Sequence, residues 1–236
     1  DGVIFLTSYA QHAIFKILKG VSGVTALVPH GVEPRFFQQP RSPKELVSCS
    51  VENPFKVLYV SILMPYKHQV EVALAVSQLR AEGVPIEMHF VGDAWGKYGW
   101  QFRALLDKLD PKHKFLFWSG AETFESVHCC YQNSDLFVFA SSCENLPNIL
   151  IEAMAAGLPI ACSDRGPMPE VLGEAGIYFN PELSASITEA LRKLIFDAPL
   201  RAKLAGLAAV KAKDYSWERC ARDTFTFIAK VARRND

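Results

Sequence analysis

The sequence predicts an α/β chain built on a doubly wound parallel sheet of the Rossmann-like kind, and three observations carry that prediction. Short β-branched or aromatic runs alternate with longer stretches of helical period along the 236 residues, which is the pattern of βα units. Half of the residues are apolar and 16 are Phe, enough to bury an extended core and to exclude a disordered chain. Glycine and proline mark the joints, as at Gly83 and Pro85 and again at Gly157, where a helix must stop before the next strand starts.

Taken in order, Val3 to Thr7 reads as a strand, Ala10 to Leu18 as a helix and Thr25 to Val28 as a strand. Together they form one βαβ unit that looks like the end of another sheet. Pro29, Gly31, Pro34, Pro40 and Pro43 follow, and this proline-spaced stretch reads as a linker. The division expected is therefore a trailing unit over 1–28, a linker over 29–55 and a complete domain over 56–236. In that domain Val57 to Val60 is a strand and His68 to Ala81 its helix. Strand Glu87 to Val91 is followed by a helix around Phe102 to Leu109, and strand Phe115 to Trp118 by helix Thr123 to Gln132. Strand Leu136 to Ala140 leads to helix Pro147 to Ala156, with Pro at its first turn and Gly157 past its end. Strand Leu158 to Cys162, a short helix Met168 to Leu172 and strand Ile177 to Phe179 complete six strands. The tail from Ser184 is helical, with breaks at Pro199 and at Asp214 to Ser216. Asp1, not Met, stands first, so the expectation is either that something was removed or that this is a piece of a longer protein.

Charge and motifs then narrow the function. The 25 Lys and Arg balance 25 Asp and Glu, and Lys230 to Arg234 is the sole weak basic run, so no nucleic-acid partner is expected. No uncharged run approaches the roughly 20 residues of a membrane span. The six cysteines form no C-x-x-C pair and read as reduced thiols of a cytoplasmic protein, in or near the core. There is no G-x-G-x-x-G and no G-x-S-x-G. Gly92, Gly96, Lys97 and Gly99 miss Walker spacing, with Tyr98 where Ser or Thr should stand. No cluster has metal-ligand spacing, and neither metal nor cofactor is expected.

The segment richest in chemistry runs from Ser141 to Gly157. Its helix is apolar nearly all round and must be buried, yet it carries one carboxylate, Glu152. A buried carboxylate needs a partner or a ligand with hydroxyls to offer. Glu144 lies eight residues earlier, in the turn feeding the helix, so the two carboxylates flank a helix N-terminus that favours an anion such as phosphate. The alternative is that Glu152 pairs with a Lys or Arg of a neighbouring helix while Glu144 shapes the turn.

Glu144 and Glu152, with seven residues between them and Ala153-Met154-Ala155-Ala156-Gly157-Leu158-Pro159 following, resemble the E-x7-E signature of GT-B retaining glycosyltransferases of family GT4, glycosyl transferases group 1. Val28-Pro29-His30-Gly31-Val32 resembles that family's interdomain V-P-N-G-V. Tyr59-Val60-Ser61 with Lys67 is similar to its first carboxyl-domain strand and phosphate-contacting lysine. Phe90-Val91-Gly92, Trp118-Ser119-Gly120 and Gly166-Pro167-Met168-Pro169-Glu170-Val171 match further motifs in order. The resemblance spans about 1–230.

It implies a donor-binding carboxyl-terminal domain, preceded over 1–28 by the last βαβ of an amino-terminal acceptor domain. The partners implied are a nucleotide-diphosphate sugar and a sugar, lipid-linked or polysaccharide acceptor, with possible peripheral membrane association through the acceptor domain. By this resemblance Glu152 holds the ribose hydroxyls, Glu144 faces the donor sugar, and the backbone of Asn145, Leu146, Pro147 and Asn148 contacts sugar or diphosphate. Lys67 neutralises the departing diphosphate, Ser61 lies beside it, and backbone near Gly120 reads the base. Glu144 and Lys67 are thus the catalytic candidates. The chain departs from the family where Ser61-Ile62 replaces a common Gly-Arg pair, which removes one of two expected phosphate cations and leaves Lys97, Arg165 or the acceptor domain to supply it. Asn145 also stands where Gly is common. An inactive nucleotide-sugar-binding module on the same fold, and a GT-B epimerase, are the other readings. Trp95, Tyr98 and Trp100 form an aromatic loop, read as packing or donor contact. Asp164 and Arg165 read equally as a loop ion pair or a ligand contact, and His30 and His68 as polar loop residues.

Overall fold

A computed structural model describes residues 1–18, 23–94 and 96–233. Trp95, in the aromatic loop, and Arg234, at the end of the basic run, lie outside the described residues. The chain opens with β1 (Gly2–Phe5), α1 (Ser8–Leu18) and β2 (Val24–Leu27), whose strands pair in parallel as a sheet of two. A second sheet holds β3 (Phe55–Val60), β4 (Ile86–Val91), β5 (Leu116–Trp118), β6 (Leu136–Phe139), β7 (Ile160–Ser163) and β8 (Ile177–Phe179). These six are all parallel, in the spatial order β5-β4-β3-β6-β7-β8. The strand order reverses between β3 and β6, and the crevice expected outside the carboxyl ends at such a point is where ligands bind in sheets of this type.

The strands near the centre are apolar runs because both of their faces are covered. Every residue of β6 and β7 is buried, and five of six in β3. The helices are α2 (Gln69–Ala81), α3 (Tyr98–Leu109), α4 (Val127–Gln132), α5 (Asn148–Ala155), α6 (Met168–Leu172), α7 (Ser184–Phe196), α8 (Ala198–Ala212) and α9 (Trp217–Ala232). Helix α2 packs on α7, and α5 on α8. Phe90 meets Phe102 edge to face, with ring centroids 5.0 Å apart. Such aromatic pairs contribute about 1 kcal/mol beyond their burial.

Several boundaries move for identifiable reasons. Helix α3 starts at Tyr98, ahead of the expected Phe102, whereas α4 starts only at Val127. Thr123 instead closes a turn in which its carbonyl accepts from the Ser126 N–H at 3.1 Å. Pro147 is the residue before α5, not its first turn. The break expected at Pro199 falls at Asp197, whose carboxylate caps α8 by accepting from the Leu200 N–H at 2.8 Å. Pro199 then sits in the first helical turn, where its missing N–H costs nothing. The cysteines depart from expectation. All six are free and Cys162 is buried, but Cys129 and Cys143 are exposed because they lie on a helix surface and a loop.

The linker is packed, not loose. Phe36 enters the core at 2% exposure, and the backbone N–H groups of Gln38 and Arg41 donate to the Ala155 and Gly157 carbonyls at 3.0 and 2.8 Å. The two chain crossings between the sheets also touch. The Val32 N–H donates to the Tyr215 carbonyl at 3.2 Å, and His30 stacks on Trp217 with centroids 5.5 Å apart. Gly31 is required there, since a Cβ would overlap the Trp217 backbone nitrogen. Beyond this crossing α9 packs on β1, with Phe227 and Val231 against Gly2. Among the described residues no helix is long and apolar enough to cross a membrane.

Candidate functional site

Beyond β3 the backbone is drawn across the carboxyl edge of the sheet. The Ser61 N–H donates to the Val91 carbonyl at 2.8 Å, and the Gly92 N–H to the Gly120 carbonyl at 2.7 Å. Gly92 has φ +140°, and a Cβ on it would overlap the Ser61 carbonyl oxygen. Glycine therefore lets the ends of β3, β4 and β5 lie side by side. Ser61 is buried and its Oγ has no hydrogen-bond partner among the described residues.

Residues Pro65–Lys67 form one turn of 3-10 helix, which His68 ends in the left-handed region at φ 54° before α2 begins. Two bonds hold this turn. The Tyr59 hydroxyl donates to the Lys67 carbonyl at 2.6 Å, and the Ser142 N–H to the Tyr66 carbonyl at 2.8 Å. Burial first, then the charge of Glu144, keeps the Tyr59 phenol far above its usual range and so protonated as a donor. The Lys67 side chain, 7% exposed, forms an ion pair and hydrogen bond with Glu144 Oε1 on a side chain 16% exposed. Lys67 Nζ also lies 5.2 Å from the Tyr66 ring centre and 5.6 Å from that of Phe139, within range of cation–π attraction. Lys67 follows β3 and Glu144 follows β6, so the pair spans the switch-point crevice.

Helix α5 starts without a side-chain cap. The N–H groups of Leu150 and Ile151 turn back to the Pro147 carbonyl at 3.0 and 3.2 Å, and that of Asn148 to the Leu146 carbonyl at 3.0 Å. Leu146 and Pro147 are buried, while Asn145 and Asn148 are exposed. Glu152, half-buried between the buried Ile151 and Ala153 of α5, accepts from the Tyr131 hydroxyl through Oε2 at 2.8 Å. Burial pushes its carboxyl up to about 7, the Tyr131 bond opposes that shift, and the charge of Glu33 reinforces it. Among the described residues no cation pairs with Glu152, and it contacts neither Lys67 nor Glu144.

The other candidates scatter. Asp164 and Arg165 pair with each other at 3.4 Å. His68 Nε2 is 3.0 Å from Ser142 Oγ. Trp100 is 85% exposed, on the rim of a cleft of about 610 Å³ with Asp93, Arg103 and Trp118 beyond β4 and β5. Tyr98 is half-buried. The sequence gives no sign of Tyr131 as the partner of Glu152, nor of Thr7, whose Oγ1 donates to the Asn145 carbonyl at 3.0 Å. Both contacts depend on how separate units pack. Among the described residues no group of three or more His, Cys, Asp or Glu could hold a metal ion.

With this geometry, likeness to known proteins is informative. The chain is 26% identical over 193 residues to O-antigen chain mannosyltransferase B of Escherichia coli, which covers 78% of this chain and 49% of that protein. Its fold superposes on sucrose-phosphate synthase from Thermosynechococcus elongatus with TM-score 0.83 at 19% identity, covering 99% of this chain and 59% of that one. Anabaena HepE, solved with UDP and glucose, matches at TM-score 0.82 and 20% identity, over 97% of this chain and 63% of its own. The chain thus spans about half the length of the mannosyltransferase. Its architecture is that of GT-B glycosyltransferases, and residues 44–209, which carry Ser61, Lys67, Glu144 and Glu152, match the model of the glycosyl transferases group 1, the family to which the chain belongs.

Proposed function

We propose that this chain is the donor-binding half of a retaining glycosyltransferase that moves a sugar from a nucleotide diphosphate to an acceptor in surface polysaccharide or glycolipid synthesis. The observation that carries the reading is the buried Lys67–Glu144 pair across the crevice between β3 and β6. A cation and a carboxylate side by side suit a ligand with a diphosphate at one end and hydroxyls at the other. Lys67 takes the charge that develops as the sugar–phosphate bond breaks, aided by the start of α5. Glu144 and the backbone of Asn145 to Asn148 hold the sugar in register for an acceptor hydroxyl arriving on the face that the diphosphate leaves. Glu152 takes the ribose hydroxyls, exchanging its bond from Tyr131, while Ser61 and the backbone at Gly120 complete the nucleotide contacts. No metal takes part in this scheme.

On this reading residues 1–28 belong to an acceptor domain, 29–55 connect and 56–236 bind donor, in a cytoplasmic enzyme that reaches a membrane-bound acceptor through the other domain. The chain alone binds nucleotide without turnover. Calorimetry with UDP, GDP, TDP and ADP tests this. One of them is expected to bind, and Lys67→Met to weaken it tenfold or more, as loss of a charged hydrogen bond of about 1.5–3 kcal/mol requires. Absence of binding by all four, or binding indifferent to Lys67→Met, would overturn the reading. Sugar transfer by this chain alone would refute the division of labour.

A second reading, a nucleotide-sugar-binding module without catalysis, is favoured by Ile62, 40% exposed beside Ser61 where a second cation is expected. It predicts nucleotide binding with no transfer even when an acceptor domain is joined.

A further inference from the structure

The first βαβ unit is tied to the candidate site by a closed ring of contacts. The N–H groups of Ser8 and Tyr9, in the opening turn of α1, donate to the two carboxylate oxygens of Glu170 at 2.7 and 2.8 Å. Glu170 therefore caps a helix 161 residues away in sequence, doing what a local Ser or Asp does elsewhere. Just before α6, which carries Glu170, Gly166 neighbours Glu144: a Cβ on it would lie 3.9 Å from the Glu144 backbone nitrogen, an ordinary van der Waals distance. The residue after Glu144 closes the ring, because the Asn145 carbonyl accepts from Thr7 Oγ1 at 3.0 Å, and the same Oγ1 accepts from the Ala10 N–H at 3.1 Å. Hydrogen bonds thus tie the start of α1 both to Glu170 of α6 and to the Asn145 carbonyl beside Glu144. The ring lies near the two chain crossings, since the charge of Glu170, after burial, helps to push the Tyr215 phenol up to about 12.

We propose that Glu170 and Thr7 form a latch that couples the tilt of the first βαβ unit to the shape of the 144–148 loop, with Glu170 as a positioning residue. A carboxylate that accepts two backbone N–H bonds is a strong cap, and it adds to the joins at the chain crossings and to Leu6, which packs against the main core. Linkage makes the effect reciprocal: whatever stabilises the loop stabilises the start of α1, and the converse. The link to nucleotide rests on the function proposed above, but the latch itself does not.

Hydrogen exchange on the whole chain, read for peptides spanning 6–12, 142–150 and 72–80, tests it. Glu170→Ala is expected to speed exchange of the Ser8 and Tyr9 amides by about tenfold or more and to speed exchange in 142–150 as well, leaving 72–80 in α2 unchanged. Glu170→Gln, which keeps one acceptor oxygen, falls between. Thr7→Val, acting from the other side of the ring, speeds 142–150 too. Faster exchange at 6–12 with 142–150 unmoved in both variants would reduce Glu170 to a cap and overturn the coupling, and so would unchanged exchange at 6–12. In a second arm, saturating UDP or GDP slows exchange at 6–12 in the wild type but not in Glu170→Ala. If neither nucleotide binds the wild type, the functional reading fails while the first arm still decides the latch. If one binds without slowing 6–12, the latch fails alone.

Discussion

Glu152 makes a prediction about stability that needs no ligand. Its carboxyl is pushed from 4.5 up to about 7 in the fold, chiefly by burial. A carboxyl raised in the folded state favours the protonated form, so the sign is opposite to that of a salt-bridged carboxylate. Below pH 4.5 both states hold the proton and Glu152 costs nothing. Between 4.5 and 7 the unfolded chain ionises while the folded one resists, and stability falls as pH rises. Above 7 the loss levels off at about 3 kcal/mol, the equivalent of that gap. Between pH 5 and 8 the expected loss is about 2–3 kcal/mol, or roughly 5–10 °C in melting temperature for a chain of this size. Glu152→Gln keeps an acceptor for the Tyr131 hydroxyl but cannot ionise, so its stability should lack this component. Thermal unfolding of both proteins at pH 5, 6, 7 and 8 measures the difference, in which every other titrating group cancels. Equal pH slopes, or a wild type that gains on the variant as pH rises, would refute the assignment of a raised carboxyl to Glu152.

Three further outcomes follow from the same geometry. If ribose hydroxyls bind Glu152, they favour its ionised form, so nucleotide binding near pH 7 should release a fraction of a proton, seen as a dependence of calorimetric enthalpy on the buffer's ionisation heat and absent in Glu152→Gln. Lys67→Met leaves Glu144 without its buried partner and should cost about 3–5 kcal/mol in urea unfolding, with the Lys67→Met, Glu144→Leu double variant recovering most of it. Gly92→Ala meets both φ +140° and the Ser61 carbonyl; it should cost about 3 kcal/mol or more by denaturant titration, whereas Gly206→Ala, in open space within α8, should be neutral or stabilising.

What could be read from the chain, and what could not, follows from the range of the interactions involved. The six strands of the main sheet declare themselves because runs such as Leu136 to Phe139 are buried on both faces, and a local pattern records that. Glu144 is legible as a candidate from its place in the turn before an apolar helix, and Lys67 only through the family resemblance; their placement after β3 and β6 follows once the strand order is known. Their ion pair was not legible. It depends on the Tyr59 and Ser142 bonds that hold the 65–67 turn, between segments about 75 residues apart. The same holds for Tyr131 and Glu152, and for Glu170 at the start of α1. The 29–55 stretch shows the limit most plainly. Its prolines predict irregular backbone, and it holds only two short 3-10 turns before β3 begins at Phe55, but irregular backbone can still pack, and Phe36 against Tyr131 at 5.6 Å makes it part of the core.

The neutral charge of the chain has a counterpart in the site. Lys67 and Glu144 cancel each other in a setting where neither side chain sees much water, so the pair itself carries no net charge to draw in a passing anion. An anion that pulls Lys67 away strands Glu144 as a buried, unpaired carboxylate, and that costs several kcal/mol. Inorganic phosphate offers Glu144 at most a P–O–H donor in return, at the same small group that Lys67 would hold. A sugar diphosphate, on the function proposed here, offers both halves of the exchange: phosphate oxygens for Lys67 and sugar hydroxyls that donate to Glu144. The pair then acts as a filter against partial ligands, because each half is released only when the other is satisfied. On that reading the ion pair is a source of selectivity more than of affinity, and a sugar diphosphate needs no basic surface to be held there.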